Sequence, residues 1–320
     1  MPIIRTITGD ISPEKLGPTN MHDHLIREPG TVEVLHDKDF LMNDAKKAAQ
    51  ELADFRDHGG SGFLDAQPIG CGRNISKYLQ IAEEVPEVHI IATTGFHKSE
   101  FYLPTHWVYD YSINEMTDLL LADIYEGIDI YDYNGPITKR SKAKPGVLKF
   151  ATSYNVVTPT EEKMCRAVAR AQKESGYPII THTQIGTMGH VQVELMKEEK
   201  VDLSRVVIGH IDRNPDSQNL ISLAKKGVFL EWDTPGRIKY QPESTTIACL
   251  RAMEEAQLID HVVLAGDNGR ASYLKSYGGG RGYAYILEHF IPRLRREGFS
   301  ETSIEQILVE TPRKILSIDA

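Results

Sequence analysis

The segment Asn20-Met21-His22-Asp23-His24 ends a short apolar run in two histidines, and the rest of the chain repeats that design. Further apolar runs follow at Gly62-Phe63-Leu64 before Asp65, at Val88 to Gly95, and at Val147-Leu148-Lys149-Phe150 after the breaker Lys144-Pro145-Gly146. Others are Pro178-Ile179-Ile180-Thr181-His182, Arg205 to His210, Gly227 to Glu231, and His261 to Asp267. Most are short, rich in Val and Ile, and too continuous to be half exposed. Such runs suit parallel strands buried on both faces.

Helical patterns lie between the runs. Thr158-Pro159-Thr160-Glu161-Glu162 combines hydroxyl caps, a proline and early acidic residues, and predicts a helix over Thr160 to Ser175. Asp216 to Lys226 and Ser244 to Ala256 read the same way. Glu301 to Leu316 is expected to close the chain, helical until Pro312 interrupts it. About eight strand-helix alternations point to a (β/α)8 barrel, expected as a single domain over residues 1–320. A doubly wound open sheet would normally carry a Gly-rich turn after its first strand. Here His-Asp-His stands there instead. Gly278-Gly279-Gly280-Arg281-Gly282 comes near the C-terminus and does not match that motif.

Composition narrows the function. The chain has 320 residues, 41% hydrophobic and 25% charged, with a net charge of −9. That balance suits a soluble globular protein and argues against a general nucleic-acid binder. No apolar run approaches the roughly 20 residues needed to span a bilayer, and Met1-Pro2-Ile3-Ile4-Arg5-Thr6 lacks the apolar core of a signal peptide. Cys71, Cys165 and Cys249 are odd in number and far apart, which fits a reducing cytoplasm.

Metal-capable residues end the runs: His22 and His24 the first, Lys149 the fourth, His182 the fifth, His210 the sixth and Asp267 the eighth. In a barrel these ends converge on one face. Alternate strand residues point the same way, so His22 and His24 can grip one cation and Asp267 can complete the set. His182 and His210 can hold a second ion. Two close cations need an anionic bridge, which Lys149 can supply only as a carbamate. Singly, each residue is more often ordinary hydrogen-bonded structure or a snorkelling lysine. Six metal-capable positions at the ends of five runs are much more specific.

In that order the residues resemble the phosphotriesterase family of the amidohydrolase superfamily. The resemblance rests on Met21-His22-Asp23-His24, Val147-Leu148-Lys149-Phe150, Ile180-Thr181-His182-Thr183, Ile208-Gly209-His210-Ile211-Asp212 and Leu264-Ala265-Gly266-Asp267. Leu64 to Asn74, Thr93-Thr94-Gly95-Phe96-His97 and Thr311-Pro312-Arg313-Lys314 extend it, so it covers about Gly9 to Leu316. It implies a TIM barrel of amidohydrolase type and two divalent ions. Zinc is expected, with cobalt, manganese or iron as alternatives. It implies that His22, His24 and Asp267 bind the more buried ion, that His182 and His210 bind the more exposed one, and that carbamylated Lys149 bridges them. It further implies attack by a bridging hydroxide, polarisation of the scissile bond by the exposed metal, and proton acceptance by Asp267.

The branch points to substrate. Acyl-homoserine-lactone hydrolases of this family resemble one another in a Tyr after the third strand and an Arg after the seventh. This chain has Phe96-His97 at the first place and Thr234 at the second. Arg237 and Lys239 follow strand seven. Arg270, Tyr273, Lys275, Tyr277 and Arg281 follow strand eight, where barrel enzymes frequently bind phosphate. Asp267-Asn268-Gly269-Arg270-Ala271-Ser272-Tyr273 looks like the sugar-phosphate lactonase branch. The expected substrate contacts are Phe96, Arg237, Lys239, Arg270 and Tyr273, with Arg270 and Tyr273 foremost as anion anchors. The expected activity is hydrolysis of a lactone or ester, a small molecule carrying an anion, by a cytoplasmic homodimer. A phosphotriesterase, or a metal-binding protein without catalysis, are the alternatives.

Overall fold

The computed structural model describes residues 1–319, and in it the eight apolar runs are eight parallel strands. They are β1 (Thr19–Asp23), β2 (Gly62–Asp65), β3 (His89–Gly95) and β4 (Val147–Thr152). β5 (Ile179–Thr183), β6 (Val206–Ile208), β7 (Phe229–Trp232) and β8 (Val262–Leu264) complete the set. They pair in chain order. The Asp267 N–H donates to the His22 carbonyl at 2.9 Å, and the Gly266 N–H to Asn20 Oδ1 at 3.0 Å. These two bonds draw the eighth strand's end to the first. The result is a (β/α)8 barrel.

Its interior takes one side chain from every strand: Met21, Leu64, Ile91, Val147, Ile180, Val207, Phe229 and Val263, all buried. Burying each is worth about 1.5–3 kcal/mol, so this ring is a large part of what holds the strands together. Ile4, Leu16, Ile315 and Leu316 belong to the same cluster but come from outside the barrel. Ile4 is carried by an antiparallel sheet of Pro2–Thr6 with Gly9–Ile11 and Ser317–Asp319. The Arg5 carbonyl comes so close to Gly146, just before β4, that a Cβ there would sit 2.6 Å from it. The sheet therefore covers the end where the strands begin. No sequence pattern announces this sheet, because its strands are short and partly exposed and show no apolar run.

Helices alternate with the strands: α1 (Ala45–Asp57), α2 (Ile75–Glu84), α3 (Ile113–Glu126), α4 (Pro159–Ser175), α5 (Gly189–Glu198), α6 (Ser217–Ala224) and α7 (Glu243–Glu255). α4 starts on the expected signal. Thr158 and Glu161 form a reciprocal capping box, and Gly176 ends the helix in the left-handed conformation. One expectation is corrected. Pro312 does not interrupt the closing helix, which continues as Thr311–Leu316. A π turn over Gln306–Glu310 precedes it, and a second over Ile286–Phe290 precedes Pro292. Proline lacks an N–H and clashes with the carbonyl four residues back. Widening the turn by one residue relieves both.

Gly95 illustrates how tightly the strands approach the site. It pairs with Lys149, has φ 134°, and a Cβ on it would lie 2.0 Å from the Lys149 carbonyl oxygen. Gly95→Ala should therefore lower stability by roughly 2–4 kcal/mol, from backbone strain and displacement of β4. Urea denaturation would measure this, and a variant as stable as the parent would contradict the packing described.

Candidate metal centre

The ladder between β1 and β2 shifts register between Asn20 and Asp23. The shift lets Met21 fill the barrel while its neighbour His22 lines the pocket at the strand ends. Asp23 turns away and clamps the two ends. Its Oδ2 accepts from Asn20 Nδ2 (2.8 Å) and Asn268 Nδ2 (2.9 Å), and its Oδ1 from the His24 and Asn268 N–H groups (both 2.9 Å). Burial raises its carboxyl to about 7. His210 and Asp267 sit two and three residues beyond their strands in left-handed backbone, with φ 58° and 45°. That conformation is costly for residues other than glycine and concentrates at functional sites.

All six expected ligands line one pocket: His22, His24, Lys149, His182, His210 and Asp267. Asp267 Oδ1 is 3.4 Å from His24 Nε2 and 4.0 Å from His22 Nε2. The ring centroids of His22 and His210 are 4.7 Å apart, and those of His182 and His210 4.5 Å. Burial is the main cause holding all four imidazoles below their ordinary range, with His22 and His24 near 3. They are therefore neutral, the form that ligates metal. His24 Nδ1 and His182 Nε2 are buried without a hydrogen-bond partner. Unpartnered buried nitrogens are costly, and a cation would satisfy them.

Lys149 is fully buried. Its Nζ donates to the Ala66 carbonyl at 2.8 Å and lies 3.3 Å from His22 Nε2. Burial lowers its amine to about 8. Glu231, one residue inside the end of β7, stands behind the histidines. Its Oε2 meets His22 Nδ1 at 3.0 Å and its Oε1 is 3.5 Å from His210 Nδ1. Carboxylates in that position fix ring orientation in metal sites. His22, His24 and Asp267, and likewise His22, His210 and Glu231, bring three donor atoms within 4.8 Å of one another. Asp54, His58 and Glu288 do so too, but Lys275 already bridges Asp54 and Glu288 at 2.9 Å each. The donor set at the barrel mouth fits a bound cation.

The expected substrate residues divide. Arg237, Lys239, Arg270 and Tyr273 line the pocket. Lys239 Nζ is 2.6 Å from the Tyr273 hydroxyl. Arg270 is paired with Asp37, lies 3.4 Å from Asp39, and covers the Phe40 ring at 4.0 Å. Phe96 is a correction. It is fully buried in the core against Trp107, while its N–H holds the Lys149 carbonyl at 2.9 Å. Its neighbour His97 lines the pocket instead. Lys275 and Tyr277 bond to the α1 segment, and Arg281 braces Asn268 and the Pro235 carbonyl.

Several pocket residues stand outside the expected set: Arg27, His97, Phe101, Arg213 and Tyr240, with Glu231 and Asp233 behind them. Arg213 had a findable signal, since it follows His210 by three residues. Glu231 ends an apolar run just as the ligands do. Arg27 sits in an isolated bridge with Met42 and Phe101 in the short 3-10 turn Ser99–Phe101, and neither carries such a signal. No helix among the described residues is long and apolar enough to cross a membrane.

Comparison with known proteins agrees with this geometry. The profile of the "Phosphotriesterase family" matches residues 2–316. A phospho-furanose lactonase of Mycoplasmopsis synoviae is 36% identical, over 98% of this chain and 92% of that protein. A lactonase structure from Listeria monocytogenes superimposes with a TM-score of 0.92 at 32% identity, covering 99% of this chain and 100% of that one. The phosphotriesterase homology protein of Escherichia coli, solved with phosphate in its active site, gives a TM-score of 0.87 at 31% identity, over 96% and 100%. A match across nearly the whole length, on a barrel that brings the six expected ligands together, places this chain in the phosphotriesterase family.

Proposed function

We propose that the chain, as a single catalytic domain, is a metal-dependent hydrolase that opens lactone rings, with substrates that carry a phosphate or another anion. One observation carries the reading: a cluster of neutral imidazoles and a carboxylate shares its pocket with Lys239, Arg237, Arg270 and Tyr273. The named activities of the Mycoplasmopsis and Listeria relatives support the lactone, and the phosphate bound by the Escherichia coli relative supports the anion.

His22, His24 and Asp267 would hold one divalent ion, and His182 and His210 a second, with zinc expected at both. Bound metal ions supply water acidified toward neutral pH and Lewis-acid polarisation of the carbonyl. Lys149 would bridge as a carbamate. Its lowered pKa supports that, because only the neutral amine attacks carbon dioxide, and burial makes that form accessible near pH 8. Burial opposes ionisation of Asp267, but Arg237, His24 and Arg213 outweigh it and hold the carboxyl well below its usual range. It is therefore ionised at neutral pH, the form in which a carboxylate can accept the proton released in hydrolysis.

Lys239 is the strongest anion anchor. It makes no carboxylate pair among the described residues, and its Nζ and the Tyr273 hydroxyl stand together at the pocket wall. The charge of Arg270 is partly offset by Asp37 and Asp39. The three buried, unpaired cysteines support a cytoplasmic location. A homodimer is also expected, and sedimentation equilibrium would test it, a monomer counting against it.

Three measurements bear on this reading. Phosphorylated aldonolactones should show kcat/KM about tenfold to a hundredfold above their unphosphorylated forms, the worth of one or two charge-assisted hydrogen bonds. Lys239→Met should erase most of that preference, and equal rates for both substrates would overturn the anion anchor. Lys149→Ala should lose bound metal and activity together, by elemental analysis and a pH-indicator assay. Retention of both would remove the bridge. Glu231→Gln should weaken metal binding roughly 10–100-fold in chelator competition, whereas unchanged affinity would deny it a part in orienting His22 and His210.

A further inference from the structure

Asp267 presents its two oxygens to different chemistries. Oδ1 faces His24 and His22. Oδ2 accepts Arg213 Nη2 at 2.5 Å and Arg237 Nη1 at 2.6 Å. A second carboxylate, Asp233, holds the same guanidiniums. Arg213 reaches it through Nε, 3.1 Å from each oxygen, and through Nη2, and Arg237 reaches it through Nη1 at 2.5 Å. Asp233 is fully buried, and the side chains of Arg213 and Arg237 are 7% and 6% exposed. Two carboxylates and two guanidiniums thus compensate one another at the largely buried wall of the pocket. Asp233 also comes within 3.1 Å of His210 Nδ1. The Tyr240 ring lies beneath both arginines, at 4.7 and 5.0 Å.

We propose that Arg213 competes with a metal ion for the Asp267 carboxylate, that Asp233 is the counter-charge keeping Arg213 beside the site when the ion binds, and that this pair sets the metal affinity of the centre. The proposal rests on the metal reading above. A cation held by His22, His24 and Asp267 and the guanidinium of Arg213 draw on one buried carboxylate, and like charges in a desolvated pocket repel strongly. Arg213 can yield Asp267 at the cost of a single contact, since its three contacts to Asp233 remain. Arg237 has one contact to Asp233, so it is the less firmly retained of the two. The flat aromatic face under both lets a guanidinium shift sideways without losing its platform. Arg213 and Asp233 are positioning residues, acting on Asp267 and His210.

The test uses two substitutions with opposite expected signs. Arg213→Met removes a positive charge and a competitor. The dissociation constant of the full-length protein for Zn2+ or Co2+ should fall about tenfold or more. Asp233→Asn removes the negative charge that retains the arginines, and the constant should rise by a similar factor, about tenfold. The double variant should return near the parent value. Competition against a chromophoric chelator reads these constants without any substrate, and the Co2+ visible spectrum of Arg213→Met should keep the parent's shape. Arg213→Lys keeps the charge with fewer contacts and should tighten binding by a smaller factor, so the proposal stays testable if the methionine variant does not fold. If every variant weakens binding, or none changes it, Arg213 is structural support and the proposal is overturned. A parent protein that binds no divalent ion at all would instead overturn the metal reading, a distinct result.

Discussion

The Asp267 N–H bonded to the His22 carbonyl joins the last strand to the first, and the site is organised around that join. Without it, residues 245 positions apart would have no reason to meet. Asp23 reinforces the join with four accepted hydrogen bonds, two from side-chain amides and two from backbone N–H groups across β1 and β8. The same clamp turns His22 and His24 toward the pocket and sets Asp267 opposite them. One buried carboxylate that ligates nothing therefore fixes the geometry of three residues that would.

The pocket concentrates polar groups that burial makes costly. Four imidazoles are held neutral, two ring nitrogens lack partners, and two ligand positions use left-handed backbone. The apolar ring one layer below and the antiparallel sheet at the opposite end offset that cost. Stability and function occupy opposite ends of the barrel, the division barrel enzymes follow. Asp233 and Asp267 are balanced by Arg213 and Arg237, so that side of the centre keeps its shape through internal ion pairing.

Much of this was legible in the sequence, because strand runs ending in His, Lys or Asp announce both the architecture and the site. His22, His24, Lys149, His182, His210 and Asp267 needed only parallel strands in chain order to converge. What lay hidden depends on contacts between loops. Arg270 and Arg213 look alike as loop cations. Only the structure shows Arg270 beside Asp37 at the rim and Arg213 between Asp233 and Asp267. Phe96 and His97 are adjacent just past the end of β3, and only the structure shows that Phe96 enters the core and His97 the pocket. Pro312 reads as a helix breaker until a π turn accommodates it. The N-terminal sheet is set by pairing across the two chain ends, a contact that no local pattern encodes.

Anomalous X-ray diffraction from crystals of the metal-loaded protein, collected at the metal's absorption edge, tests the central claim most directly. The account predicts two peaks at the barrel mouth, one among His22, His24 and Asp267 and one beside His182 and His210, with added density on Lys149 Nζ reaching both. No peak at the mouth, or one confined to the Asp54, His58 and Glu288 cluster, would contradict it.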